Sequence, residues 1–259
     1  MSKLVEKLES LAEGKAQPMG FAAAVARAKT APMLLIASLT GPALDTTGPD
    51  MAGADAVLVT IGDVSELEGS LAEKVKGLGD MPWGVSLRSV SGEGVKQLAD
   101  LGCDFVIFDA AQSPPLLLQE EDMGKVIALD PSLSDSLLRA MERLPVDAVF
   151  VAEGSEGPAL SVYHLLVYQR LASLVRHPLL TPAPAELGKG DMEGLLEAGV
   201  RGVVVELAKK RSVGKLAELR RAIDSLPTAR KRRGKVDVLL PRLAESRELP
   251  EAEEEEEEE

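Results

Sequence analysis

The unit that decides the fold is clearest in the passage Leu195-Leu196-Glu197-Ala198-Gly199-Val200-Arg201-Gly202-Val203-Val204-Val205. Its first part has helical character. Gly199 is a typical residue to end a helix, because glycine adopts the left-handed backbone conformation without steric cost. The valine-rich part that follows is typical of a strand covered on both faces, as in a parallel sheet. The passage therefore predicts a helix followed by a buried strand.

Seven further apolar, β-branched runs occur outward from this unit, and successive runs begin 21 to 31 residues apart. The eight predicted strands are Met33–Ser38, Asp55–Thr60, Pro82–Leu87, Asp104–Phe108, Lys125–Leu129, Asp147–Ala152, Pro178–Thr181 and Arg201–Glu206. Segments with helical periodicity lie between them. Their predicted N-caps are Asp63, Ser91, Ser134 and Asp191. Strands that alternate with helices pair in parallel, so eight units predict a closed (β/α)8 TIM barrel, with an open doubly wound sheet as the alternative.

The length of 259 residues suits a single large domain with its own core. We predict one barrel domain over residues 1–244, in which the opening segment, 1–29, supplies an extra helix that caps the bottom of the barrel. Residues 245–259 end in seven consecutive glutamates. Like charges repel one another, so this acidic tail is predicted to be disordered.

The net charge of −13 is concentrated at the C-terminus, because residues 248–259 carry nine acids and no base. The basic run from Arg230 to Lys235 is short and has no interleaved aromatic residues, so nucleic-acid binding is not expected. No apolar run reaches 18 residues, and the N-terminus has no apolar signal-peptide core, so neither a membrane span nor export is expected. A single cysteine, Cys103, fits a reducing cytoplasm. The oligomeric state is left open.

Catalytic groups in a (β/α)8 barrel lie at the C-terminal ends of the strands and in the loops that follow. No predicted strand ends in a lysine or a histidine; His164 falls within a helix, and His177 lies just before a strand, at the bottom. The polar residues at the strand ends are Ser38, Thr40, Thr60, Asp63, Ser86, Arg88, Asp109, Gln112, Asp130, Glu153, Ser155, Glu156, Thr181 and Glu206.

The carboxylates at the predicted strand ends allow two interpretations. Asp109, Asp130 and Glu153 are the candidate catalytic acids and bases, and together with Glu206 they could also hold Mg²⁺ through oxygen ligands. Carboxylates at strand ends more often cap the following turn or helix, and Asp130-Pro131-Ser132 has the composition of such a turn. We therefore predict no metal site. Periodicity alone does not show which of these side chains point inward.

Two stretches resemble known proteins. The segment Asp147-Ala148-Val149-Phe150-Val151-Ala152-Glu153-Gly154-Ser155-Glu156-Gly157 resembles the sixth-strand segment of flavin-dependent nitronate monooxygenases. The passage from Leu195 to Val205 resembles the seventh-helix to eighth-strand region of phosphate-binding (β/α)8 barrels, a set that includes ribulose-phosphate-binding and FMN-binding enzymes. The resemblance implies this barrel fold and a phosphorylated small molecule or FMN as the ligand. The usual glycine and histidine signatures are missing.

An anion site could be rebuilt from other residues. In this fold the loops after the seventh and eighth strands hold phosphate, and helix N-termini attract anions. The candidate residues are Arg88, Gly188, Lys189, Gly190, Lys209, Lys210, Arg211 and Ser212. The other interpretation of these loops is a pair of solvated basic turns.

Two functions follow from these observations. The first is an enzyme that binds a phosphorylated small molecule or FMN at the C-terminal face, with Asp109, Asp130 or Glu153 in acid–base roles. The second is a degenerate barrel that serves as a binding or scaffold protein, which the missing glycines, histidine and lysine would explain.

Overall fold

The structure is a computed structural model that describes residues 1–12, 31–40, 51, 53–62, 64, 75, 77–152, 160–207 and 211–227, with only the helical backbone described at 211–213. By compactness the chain divides into Met1–Ala229 and Arg230–Glu259, and all described residues belong to the first unit. The predicted acidic tail and the predicted boundary after residue 244 lie outside the described residues.

Eight strands form the framework of the described chain: β1 (Leu34–Thr40), β2 (Ala56–Ile61), β3 (Trp83–Leu87), β4 (Phe105–Asp109), β5 (Gly124–Leu129), β6 (Ala148–Val151), β7 (Leu179–Ala183) and β8 (Val200–Glu206). Each neighbouring pair is parallel, and β8 pairs with β1, so the sheet is a closed barrel. The prediction of a (β/α)8 barrel is confirmed, and the open-sheet alternative is wrong because the pairing of β8 with β1 closes the sheet of the eight described strands.

The described α-helices are α1 (Lys3–Ala12), α2 (Gly92–Asp100), α3 (Asp135–Met141), α4 (Val162–Leu174), α5 (Lys189–Glu197) and α6 (Arg211–Asp224), and a 3₁₀-helix spans Pro115–Gln119. Ser91 and Ser134 cap α2 and α3 as predicted, since each side chain accepts a hydrogen bond from a backbone N–H of the first turn. Gly102 and Gly199 follow α2 and α5 with φ of 75° and 102°, the left-handed conformation expected of helix-ending glycines.

Two helix starts differ from the prediction. Asp191 was expected to be the N-cap of its helix, but α5 begins earlier and its N-cap is Gly188. Asp191 instead occupies the third helical position, where its carboxylate accepts a hydrogen bond from the Gly188 N–H at 2.9 Å. The predicted cap Asp63 lies outside the described residues.

The register stacks the inward-facing side chains in layers of four, contributed by alternate strands. From the bottom, the first three layers are apolar: Ala56, Phe105, Ala148 and Gly202; then Ile36, Gly84, Val126 and Leu180; then Leu58, Ile107, Phe150 and Val204. The outward-facing rows, with Leu35, Val57 and Val106 among them, form a second core with the surrounding helices.

The lowest layers are closed from below by α1. Leu4 and Leu8 are buried against the barrel interior, in one cluster with Leu34 and Phe105. The predicted bottom-capping helix is therefore confirmed for Lys3–Ala12, while residues 13–29 lie outside the described part. Since α1 covers the bottom, the partly exposed inward residues of the described strands lie toward the C-terminal ends of the strands.

The single cysteine is buried at the start of β4, where the Cys103 Sγ donates a 3.2 Å hydrogen bond to the Phe105 carbonyl. Burial raises the pKa of this thiol from 9.0 to about 12. We expect Cys103 to react with a disulfide reagent at pH 8 at least about a hundredfold more slowly in the native protein than in urea, because the thiolate is the nucleophile.

The same shift sets a pH dependence of stability. The folded thiol has the higher pKa, so its contribution is fully present below pH 9 and is lost as the pH rises from 9 toward about 12. For the labelling prediction, equal rates in native buffer and in urea would show that the Cys103 thiol is accessible in the native protein.

Candidate functional site

The fourth and fifth layers form the mouth of the barrel. The fourth contains Ser38, Ser86, Ala128 and Pro182, and the fifth contains Thr60, Asp109, Ala152 and Glu206. The interior therefore changes from apolar to polar at its C-terminal end. The polar members belong to five consecutive strands, β8, β1, β2, β3 and β4. The apolar members belong to β5, β6 and β7.

The upper interior is open to solvent. Ala128 and Phe150 face inward, yet both are only partly buried, whereas Val126, one layer below Phe150, is fully buried. In a filled barrel these positions would be packed. Ser38 is buried, and its hydroxyl lies 3.4 Å from that of the exposed Thr60. The inward residues near the C-terminal ends of the described strands are thus partly exposed and lie above a packed apolar floor.

Asp109 lies on the inner wall at the end of β4. It pairs with Ala128 in the ladder, which places its side chain in an inward row. The Asp109 Oδ1 accepts a 2.7 Å hydrogen bond from the Ala111 N–H, so the carboxylate also stabilises the turn after the strand. The structure thus combines the two interpretations of this residue: Asp109 caps a turn and faces the mouth.

Asp130 follows β5 and is exposed. Its Oδ1 accepts a 2.7 Å hydrogen bond from the Ser132 N–H. Hydrogen bonds from the side chain and then from the backbone of Ser132 lower the pKa of the Asp130 carboxyl, which keeps it ionised. This is the turn predicted for Asp130-Pro131-Ser132.

The loop after Asp130 is fixed by Arg170 of α4. The guanidinium donates hydrogen bonds to the carbonyls of Pro131 and Leu133, at 3.0 and 2.8 Å, and forms an ion pair with Asp135 at 2.5 Å. One planar side chain therefore ties α4 to the loop that leads into α3.

The anion-site candidates after β7 have partners of their own. The Gly188 N–H donates to the Asp191 carboxylate, and Lys189 lies 3.9 Å from Glu193. Gly190 is exposed in the first turn of α5. Sequence analysis placed Gly188 to Asp191 before the helix, but α5 includes all of them except Gly188. A phosphate at this helix start would have to displace the Asp191 carboxylate from the Gly188 N–H.

The candidates after β8 are only partly described. Lys209 and Lys210 lie outside the described residues, as does the catalytic candidate Glu153. The helix α6 begins at Arg211, so Arg211 and Ser212 are its first two residues rather than part of the preceding loop. Arg88 is exposed and lies two residues beyond Ser86, at the height of a sixth layer.

Both histidines have structural positions. His164 Nδ1 accepts a 2.9 Å hydrogen bond from the Ser161 N–H and so caps α4. His177 precedes β7 at the bottom, with Nε2 3.8 Å from Glu142 Oε1. Neither residue belongs to the inward-facing rows of the strands.

The described residues offer neither a cluster of metal ligands nor a membrane-spanning helix. They contain no group of three or more histidine, cysteine, aspartate or glutamate side chains placed to hold a metal ion. Across the same residues, every helix is too short or too polar to cross a bilayer.

Sequence analysis assigned no role to Thr60, Ser38 and Ser86 and considered Glu206 only as a metal ligand, although all four are strand-end residues. Their inward orientation follows from the ladder register. It could have been predicted by counting alternate residues back from each strand end, had the strand bounds been known to within one residue.

No known protein family matches the sequence, and no curated protein matches it. Solved structures do match the fold. The chain is similar to tryptophan synthase in its a2b2 complex from Pyrococcus furiosus, with 14% identity, a TM-score of 0.54 and coverage of 74% of this chain and 96% of that one.

It is also similar to orotidine 5'-phosphate decarboxylase from Pyrococcus horikoshii OT3, with 10% identity and a TM-score of 0.54, over 74% of this chain and all of that one. A designed cube-shaped protein cage matches with 17% identity and a TM-score of 0.54, over 74% of this chain and 70% of that one. These likenesses lie at 10–17% identity and show that the chain has the (β/α)8 barrel fold, as the sequence resemblance implied.

Proposed function

We propose that this protein is an enzyme that binds a phosphorylated small molecule at the C-terminal face of its barrel. The observation that carries the proposal is the change of the barrel interior from packed apolar layers to an open, polar mouth at Ser38, Ser86, Thr60, Asp109 and Glu206. Enzymes with this architecture keep their active sites at this end.

The phosphate is assigned to the start of α6. The backbone N–H groups of a first helical turn lack intrahelical partners, and the helix dipole favours an anion there. Lys209 and Lys210 directly precede that turn in the sequence, and Arg211 and Ser212 begin it. Among the similar structures, orotidine 5'-phosphate decarboxylase takes a phosphorylated substrate by its name.

The end of β7 does not fit the phosphate of FMN. Pro182 and Pro184 have no N–H to donate, and the Gly188 N–H already donates to Asp191. We therefore propose a ligand other than a flavin.

Asp109 would serve as the acid–base group, since its carboxylate is held at the mouth by the Ala111 N–H. Asp130 and Glu153 are the further candidates. A buried, unpaired Cys103 fits a reducing cytoplasm.

A thermal-shift series tests the phosphate site. We expect inorganic phosphate and glucose 6-phosphate to raise the melting temperature of the wild-type protein by several degrees, because a ligand that binds only the native state stabilises it. The Lys209→Ala, Lys210→Ala double variant should lose this rise.

The control is the Lys96→Ala, Arg139→Ala double variant, which removes the same charge from exposed positions on the outer helices α2 and α3. It should keep the full response. Equal responses in both double variants would contradict the assignment of the phosphate. A yellow purified protein, or tight binding of FMN, would overturn the conclusion about the flavin.

A further inference from the structure

The mouth has two chemically different halves. Its polar half is formed by Glu206, Ser38, Thr60, Ser86 and Asp109, on the five consecutive strands from β8 to β4. Its apolar half is formed by Ala128 of β5, Ala152 directly after β6 and Pro182 of β7, above Phe150 of the third layer. The ligand must therefore present different groups to opposite sides of the barrel.

Asp109 and Glu206 face each other across this mouth. They belong to the same layer and to strands four apart in an eight-stranded barrel, so they lie at opposite ends of a diameter. With strands about 4.8 Å apart and tilted by about 36°, that diameter is about 15 Å from backbone to backbone. The side chains take up part of the span and leave room for a small molecule between the two carboxylates.

The charge of these layers constrains the ligand. The fourth and fifth layers contain two carboxylates and no basic residue, and Arg88 lies one layer further out. A second anionic group placed between Asp109 and Glu206 would be repelled, whereas a cation or a hydrogen-bond donor would be attracted. A phosphate between these two carboxylates is therefore disfavoured, which favours its placement at the outer rim.

We infer that the ligand is a phosphorylated compound whose other end carries an amino group, with hydroxyl groups beside it. The amino group lies between Asp109 and Glu206, and the hydroxyls meet Ser38, Thr60 and Ser86. A face of carbon atoms lies against Phe150 and Pro182. Glu206 is thus a specificity-determining residue. This inference rests on the proposed function, since it places the phosphate outside the mouth.

Three six-carbon phosphates test the inference. Glucosamine 6-phosphate and glucose 6-phosphate differ only in an amino group or a hydroxyl at C2, and 6-phosphogluconate is an open chain with a carboxylate at C1. We expect the affinity for the wild-type protein to fall in that order, because amine, neutral oxygen and carboxylate are progressively worse partners for two carboxylates. Glu206→Gln should lower the affinity for glucosamine 6-phosphate by at least about tenfold, as expected for the loss of a charged hydrogen bond. The affinity of the Glu206→Gln variant for inorganic phosphate should not change.

The matched control is Glu197→Gln, an exposed position near the end of α5, which should bind all three probes as the wild type does. Equal affinity for the three probes, or no effect of Glu206→Gln, overturns the inference. If inorganic phosphate still binds in that case, the proposed function stands. If phosphate has no effect but unphosphorylated glucosamine binds in a manner that requires Glu206, the proposed function fails and the assignment of Glu206 stands.

Discussion

Gly84→Ala is expected to abolish or nearly abolish folding. Gly84 faces into the barrel in the second layer, and a Cβ there would lie 2.3 Å from the Phe105 carbonyl oxygen and 2.6 Å from the Phe105 ring. The nearest atom belongs to the backbone of the neighbouring strand, so a side-chain rotation cannot relieve the clash. Overpacking that forces the backbone to move costs several kcal/mol, roughly the whole stability of many domains.

The measurement is the urea midpoint of the purified variant, or its soluble yield if it does not fold. Gly214→Ala is the matched control, because a Cβ at that exposed position on α6 would meet no atom within 4 Å. It should stabilise the protein by about 0.5–1 kcal/mol through helix propensity. Combining Gly84→Ala with Phe105→Leu should not restore folding, since the carbonyl remains. A Gly84→Ala protein with the wild-type midpoint would disprove the predicted packing of the barrel interior.

Asp104→Ala is expected to destabilise the protein by about 2–4 kcal/mol through loss of the bottom helix. The Asp104 carboxylate accepts hydrogen bonds from the backbone N–H of Lys3 at 2.7 Å, from that of Leu4 at 2.9 Å and from the Ser2 hydroxyl at 2.9 Å. It therefore caps α1 from a different part of the chain. Without it, the first turn of α1 loses its anionic partner, and Leu4 and Leu8 lose their fixed position under the barrel.

Two measurements check this prediction: the free energy of unfolding in urea, and the fluorescence of a dye that binds exposed apolar surface, which should rise in native buffer. The control is Asp100→Ala, an exposed aspartate at the end of α2, which should leave both unchanged. An unaltered free energy of unfolding in Asp104→Ala would mean that α1 is held by its apolar contacts alone.

The repeated units were visible in the sequence because they follow local rules. Buried parallel strands need continuous apolar runs, and Gly102 and Gly199 end helices for a reason that concerns only their own backbone. Ser91 and Ser134 were predicted as caps on the same basis, since the hydrogen bond spans three residues. The error at Asp191 is instructive, because an acid in the first turn of a helix is favoured at the N-cap and at the third position alike.

The candidate site was predicted less well, because its geometry depends on register. Asp109 and Asp130 were identified from the strand ends, but only the ladder shows that Asp109 shares a layer with Glu206. The role of Asp104 was even harder to predict from the sequence, since its partners on α1 are about 100 residues away along the chain.

The sequence by itself thus determined the eight strands, the parallel pairing and the end of the barrel at which polar side chains gather, since these depend on burial and on contacts between near neighbours in the chain. The layer in which each inward side chain lies and the division of the mouth into polar and apolar halves were decided only by the tertiary structure. Those features depend on how far each strand is shifted against the next, and a shift of one residue would turn every side chain of a strand to its opposite face.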